Sequence, residues 1–113
     1  MTLNEYQKLA LRTANPGIKN GPPIQLNWAL GLCGESGEAA EIVKKHFYHG
    51  HPVDYDELEE ELGDAMYYLA VFANSFGFTL EEVALHNVEK LRNRYPDRFS
   101  EERSLRRDEK QGS

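Results

Sequence analysis

Glu35 and Glu38 stand three residues apart in the stretch Gly34-Glu35-Ser36-Gly37-Glu38-Ala39-Ala40-Glu41, and Glu61 and Asp64 repeat the spacing in Glu60-Glu61-Leu62-Gly63-Asp64. On a helix that spacing puts both carboxylates of a pair on one face, with Cβ atoms about 5–6 Å apart. If the two helices face each other, four carboxylates converge. Such a cluster repels itself unless a cation lies in it, and hard divalent ions such as Mg²⁺ take oxygen ligands of this kind. A metal so held suits a polyanionic guest such as a triphosphate. The chemistry would be hydrolysis of a phosphoryl bond, with charge neutralisation and positioning supplying most of the catalysis and one carboxylate orienting the water. Glu38 and Glu41 share the same spacing, which makes Glu41 a further candidate for the metal shell.

Four helices are predicted to carry these groups. Thr2 and Glu5 form a capping box ahead of Leu3, Tyr6, Leu9 and Ala10, giving a first helix over about 2–14. Asn15-Pro16-Gly17 and Gly21-Pro22-Pro23 then break the chain. A second helix follows over about 24–47, with one apolar seam of Leu26, Leu30, Cys33, Gly37, Ala40 and Phe47. A second apolar side comprises Trp28, Leu32 and Ala39. Glu35, Glu38, Glu41 and Lys45 fall in the narrow sector between them, a pattern that fits the wall of a cleft better than a solvated back. Gly31, Gly34 and Gly37 each weaken a helix interior by roughly 1 kcal/mol against Ala, which points to close approach of a backbone or ligand.

His49-Gly50-His51-Pro52 ends that helix. His46, His49 and His51 there read as polar residues at a helix end in preference to zinc ligands, because only His86 remains to complete a set. Asp54 with Glu57 caps a third helix over about 55–76, whose seam is Leu58, Leu62, Ala65, Leu69, Phe72 and Phe76. Glu57, Glu61, Asp64, Tyr68 and Ser75 border that seam. A fourth helix, about 80–94, has a seam of Leu80, Ala84, Val88 and Leu91, flanked by the donors Asn87, Lys90 and Arg94. By frequency such a ladder is a solvated helix face, but Asn87 lies beside the seam, and a partly buried amide there would need partners, which tips the reading towards function. Trp28, Tyr67 and Tyr68 are either core aromatics or a stacking surface for a nucleobase.

With 113 residues, 40% of them hydrophobic, the chain fits one all-α domain, and no strand pattern is present. Helices apolar on more than one side predict a symmetric dimer or tetramer. A formal charge of −6 argues against nucleic acid or anionic membrane as partner. No apolar run is long enough to cross a bilayer and the N-terminus lacks a secretory pattern, so a cytoplasmic protein is expected. Cys33 has no partner for a disulfide.

The sequence from Leu32 to Glu41, then Glu60 to Asp64, then Asn87-Val88-Glu89-Lys90-Leu91-Arg92-Asn93-Arg94-Tyr95-Pro96 resembles the MazG-like nucleoside triphosphate pyrophosphohydrolases. The shared pattern is Glu-x-x-Glu, a spacer covering residues 39–60 here, and Glu-x-x-Asp; similarity runs over about 24–99. The resemblance implies an all-α four-helix antiparallel bundle completed by oligomerisation as a homodimer or homotetramer. It implies an Mg²⁺ enzyme, with Mn²⁺ as the substitute ion, that cuts (d)NTP between the α and β phosphates to (d)NMP and pyrophosphate. By that analogy Glu35, Glu38, Glu61 and Asp64 are metal ligands and catalytic residues. Lys45, Asn87, Lys90 and Arg94 would contact phosphates; Trp28 and Tyr68, from the residues themselves, are the candidates for the base. The catalytic domain would span 1–99 and a charged tail 100–113. Two other readings stay open: a relative specialised for phosphoribosyl-ATP or dUTP, and a non-catalytic helical interaction module.

Overall fold

Among residues 1–97, which the computed structural model describes, the chain forms four helices and no strand. These are α1 (Leu3–Leu11), α2 (Ile24–His49), α3 (Tyr55–Ser75) and α4 (Leu80–Arg94). The charged segment expected from Ser100 onward lies outside the described residues. The chain divides into two compact units, Met1–Leu80 and Glu81–Ser113.

Helix ends follow the side chains at them. Thr2 Oγ1 accepts from Glu5 N at 3.0 Å while Thr2 N donates to Glu5 Oε1 at 3.0 Å, so the box at the start of α1 is complete. That hydrogen bonding holds the Glu5 carboxyl below its usual range. α1 ends at Leu11, earlier than the periodicity suggests. α2 closes at Gly50, whose φ of 70° is left-handed, and the N–H of His51 reaches back to Lys45 O at 3.1 Å. Asp54 then opens α3 by accepting from Glu57 N at 3.0 Å.

The short loop makes α2 and α3 an antiparallel hairpin. Gln25 reaches Ser75, Gly31 meets Tyr68, and Glu38 meets Glu61, each step up α2 matching a step down α3. The core of this unit gathers Ala10, Trp28, Ala70, Val71 and Leu80, with Tyr67, Tyr68 and Phe72 packed around it. Gln7 is the buried polar residue among them. Its Nε2 donates to Ala70 O and Phe78 O, each at 3.1 Å, and its Oε1 accepts from Leu80 N at 3.0 Å. One amide thereby satisfies three backbone groups that would each cost about 1–3 kcal/mol if buried unpaired.

The buried side of α2 is the one bearing Trp28 and Ala39, while Leu26, Leu30, Cys33, Gly37, Ala40 and Phe47 lie exposed, Leu30 by 62%. The corresponding seam on α3 divides: Ala65 and Phe72 are half-buried, but Leu62, Leu69 and Phe76 are exposed. Both outward seams are apolar. Periodicity located them correctly as apolar stripes, yet the chain's own core forms on their neighbours.

Candidate metal centre and the adjoining cleft

Glu35 and Glu38 come from the middle of α2, and Glu61 from the facing turn of α3. One carboxylate oxygen from each lies within 4.8 Å of the others. Oε2 of Glu35 and Oε2 of Glu61 are buried without a hydrogen-bond partner. A buried, unpartnered carboxylate oxygen is costly, and three converging carboxylates are more so; a divalent cation answers both. The donor set is all oxygen, which fits Mg²⁺ or Mn²⁺ and not a thiol-seeking metal.

Without a cation, mutual approach raises the proton affinity of two of these carboxylates. Glu38 is pushed above its ordinary value, first by its approach to Glu61 as a hydrogen-bonding partner, then by that neighbour's charge, burial and Asp64. Glu61 is also raised, chiefly by its hydrogen-bonding approach to Glu35, with Glu38 acting the other way. Asp64 sits outside the close trio, yet its charge reaches Glu38, Glu61 and Tyr6. Tyr6 of α1, a helix that packs on α3, is raised mainly by burial and then by Asp64.

Next to the cluster, towards the α2–α3 loop, lies an open cleft of about 370 Å³. Glu38 and Glu61 belong to both, so trio and cleft are continuous. Its other walls are Glu41, Ile42 and Lys45 of α2, His51 and Pro52 of the loop, and Asp54 and Glu57 at the start of α3. The loop is held by His46, whose Nδ1 lies 2.8 Å from His51 O. Among the described residues no histidine joins a metal-ligating group, and His46 is used in that bond. Sequence reasoning left His51 and Glu57 out of the site, because each fits a helix-end role. Glu57 does supply its backbone N–H to the cap, but its carboxylate lines the cleft instead of returning to Asp54. Its place four residues before Glu61 on the same helix was the available signal.

On the other side of the trio the aromatic residues close ranks. Trp28 is 6% exposed and packs edge-on to Tyr67 at a centroid distance of 6.4 Å; Tyr68 lies 6.1 Å from Trp28 and 5.3 Å from Tyr67. The Tyr68 ring presses on Gly31, where a Cβ would collide with it. That contact accounts for Gly31, whereas Gly34 and Gly37 face open space. Trp28 is therefore core, with little ring left for a ligand.

Lys45 lines the cleft and, among the described residues, forms no ion pair; Lys44, by contrast, lies 3.8 Å from Glu41. Asn87, Lys90 and Arg94 lie on α4, in the second unit, at spacings that keep them on one side of that helix. Asn87 and Lys90 are exposed and Arg94 is half-buried, so the partly buried amide expected at Asn87 is instead open to water.

Comparison with known proteins bears on these residues. The MazG nucleotide pyrophosphohydrolase domain matches residues 25–99, a span that includes the trio, the cleft and α4. "Gene 37 protein" of Mycobacterium phage L5 is 41% identical over 101 residues, covering 83% of this chain and 89% of that protein. No solved structure matches the chain.

Proposed function

Because the chain belongs to the MazG nucleotide pyrophosphohydrolase family, we propose that it hydrolyses nucleoside triphosphates, ribo- or deoxyribo-, between the α and β phosphates, releasing the monophosphate and pyrophosphate. The observation that carries this reading is the convergence of Glu35, Glu38 and Glu61 within 4.8 Å, two of them with buried, unpartnered oxygens. Those three, with Asp64 beside them, would hold Mg²⁺, or Mn²⁺ in its place. When bound, such an ion neutralises the triphosphate and polarises the reacting groups.

The chain's own groups do the rest. Water adds to one of the two phosphorus atoms of the α–β bridge, the bond from that phosphorus to the bridging oxygen breaks, and the electron pair stays on that oxygen, which leaves with the other product. A carboxylate of the cluster not engaged with the ion would take the proton from the water. Lys45 supplies positive charge from the cleft wall, and Asn87, Lys90 and Arg94 are the proposed phosphate contacts on α4. Tyr68 contributes as packing that fixes the α2–α3 spacing, and Trp28 as core.

A homodimer or homotetramer goes with this reading. Leu26, Leu30, Leu62, Met66, Leu69 and Phe76 are all more than two-fifths exposed, an apolar surface that a second copy would cover. No helix among the described residues is long and apolar enough to cross a membrane, and a cytoplasmic site of action is proposed with the nucleotide substrate.

The test is to incubate the purified protein with Mg²⁺ and a panel of ribo- and deoxyribonucleoside triphosphates and to separate products by anion exchange. Monophosphate with pyrophosphate is the expected result. Diphosphate with orthophosphate would overturn the bond assignment. No product from any triphosphate would redirect the search to a specialised pyrophosphate substrate or a non-catalytic role.

A further inference from the structure

Resting on the pyrophosphohydrolase reading, we propose that the cleft at the α2–α3 loop receives the nucleoside end of the substrate, and that Glu41 and Glu57 select for its hydrogen-bond donors. Position comes first. The cleft shares Glu38 and Glu61 with the carboxylate trio, so it adjoins the place where the trio would act and can hold the part of a substrate next to the reacting bond. Its volume of about 370 Å³ is in the range of small-molecule sites.

Charge then decides which end of a nucleotide enters. Beyond the two shared carboxylates the walls add Glu41, Asp54 and Glu57, against Lys45 and His51. The carboxylates outnumber the lysine, so the cleft disfavours the free end of a polyphosphate and leaves Lys45 to the phosphate joined to the nucleoside, whereas ribose hydroxyls and exocyclic amines are the donors that carboxylates accept. The acceptors are free for this work. Glu57 carries no hydrogen bond or ion pair on its carboxylate among the described residues, and Glu41 has only the long, exposed contact to Lys44 at 3.8 Å. Asp54 is partly occupied, since it accepts from Glu57 N. Ile42 and Pro52 give the cleft apolar wall for the face of a base.

The opposite flank offers no such room. Tyr68 fills the space over Gly31, and Trp28, Tyr67 and Tyr68 are packed on one another. A nucleoside could enter there only by dismantling part of the core.

Amide NMR of the full chain loaded with Mg²⁺ locates the nucleoside without requiring turnover. Added cytidine monophosphate is expected to shift Ile42, Lys45, His51 and Glu57, and pyrophosphate alone is expected to leave Ile42 and His51 in place. Shifts centred on Gly31 and Tyr68, equal shifts from pyrophosphate in the cleft, or no shift at all would overturn the proposal. Glu41→Gln and Glu57→Gln then test selection in the kinetics. The CTP/UTP ratio of kcat/KM reports the exocyclic amine and the CTP/dCTP ratio the 2′-hydroxyl. A change of roughly tenfold in either ratio, carried by KM, is expected from losing one charge-assisted acceptor. Both ratios unchanged in both variants would overturn the assignment of these carboxylates. Failure of the unsubstituted protein to release pyrophosphate from any triphosphate would refute the pyrophosphohydrolase reading, while the NMR mapping of the nucleoside would stand or fall separately.

Discussion

The two flanks of the carboxylate trio are built from the same pair of helices and behave oppositely. Towards the open end of the hairpin, aromatic rings from α2 and α3 interlock until a glycine is required to let them pass. Towards the loop, the helices present mostly charged side chains, with Ile42 among them, and leave a cleft. Packing on the first flank fixes the separation of α2 and α3, and that separation is what holds Glu61 against Glu35 and Glu38. The second flank is free to face a ligand because the first one carries the structural work.

The sharpest way to probe this contrast starts between the flanks. Glu38→Gln is expected to lower kcat/KM by more than roughly 100-fold, as loss of a metal ligand should, and to weaken Mg²⁺ binding by calorimetry while the far-ultraviolet circular dichroism is retained. Full activity in that variant would remove the trio from the chemistry. On the closed flank the cost appears as stability. Trp28→Ala should destabilise by about 3–5 kcal/mol in urea unfolding; a loss under about 1 kcal/mol would show that the ring is not core.

Gly31→Ala forces Tyr68 to move, with an expected loss of about 1–3 kcal/mol and a fall in Mg²⁺ affinity as the helices part. On the open flank Glu57→Gln should change stability by less than about 0.5 kcal/mol. If it instead unfolds the protein, the cleft is structural and the contrast fails.

Acidity gives a further, smaller effect with a defined sign. Glu38 and Glu61 have raised values in the folded chain, so the protonated cluster favours folding. Its contribution is complete below the ordinary carboxylate value of 4.5 and is lost as pH rises through the raised values. Metal-free protein should therefore lose Tm between pH 4.5 and neutrality, and Mg²⁺ should restore it at neutral pH more than in acid. Equal Mg²⁺ stabilisation at both ends of that range would contradict the assignment.

The helices were legible because their signals are local. Thr2 with Glu5, Asp54 with Glu57, and Gly50 mark ends whatever the rest of the chain does, and α2, α3 and α4 fall within two residues of the predicted bounds. The two Glu-bearing turns were legible for the same reason. Which apolar stripe of α2 is buried was not, since Leu26 and Leu30 have the same periodicity credentials as Trp28 and only the packing of α1 and α3 chooses between them. Glu57 was placed on the same flank as Glu61 and Asp64, but its capping role kept it out of the site, because a helix-start residue on that flank has a sufficient local explanation. Asn87 was weighted towards burial because it borders a seam, whereas a border position leaves its amide open to water.

Gln7 has a further use. The Leu80 amide proton that it accepts is shielded only while α1 is docked, so the hydrogen-exchange rate of that single amide is a built-in gauge of undocking. Because neither Gln7 nor Leu80 lines the trio or the cleft, the gauge reads integrity of the scaffold separately from occupancy of the site.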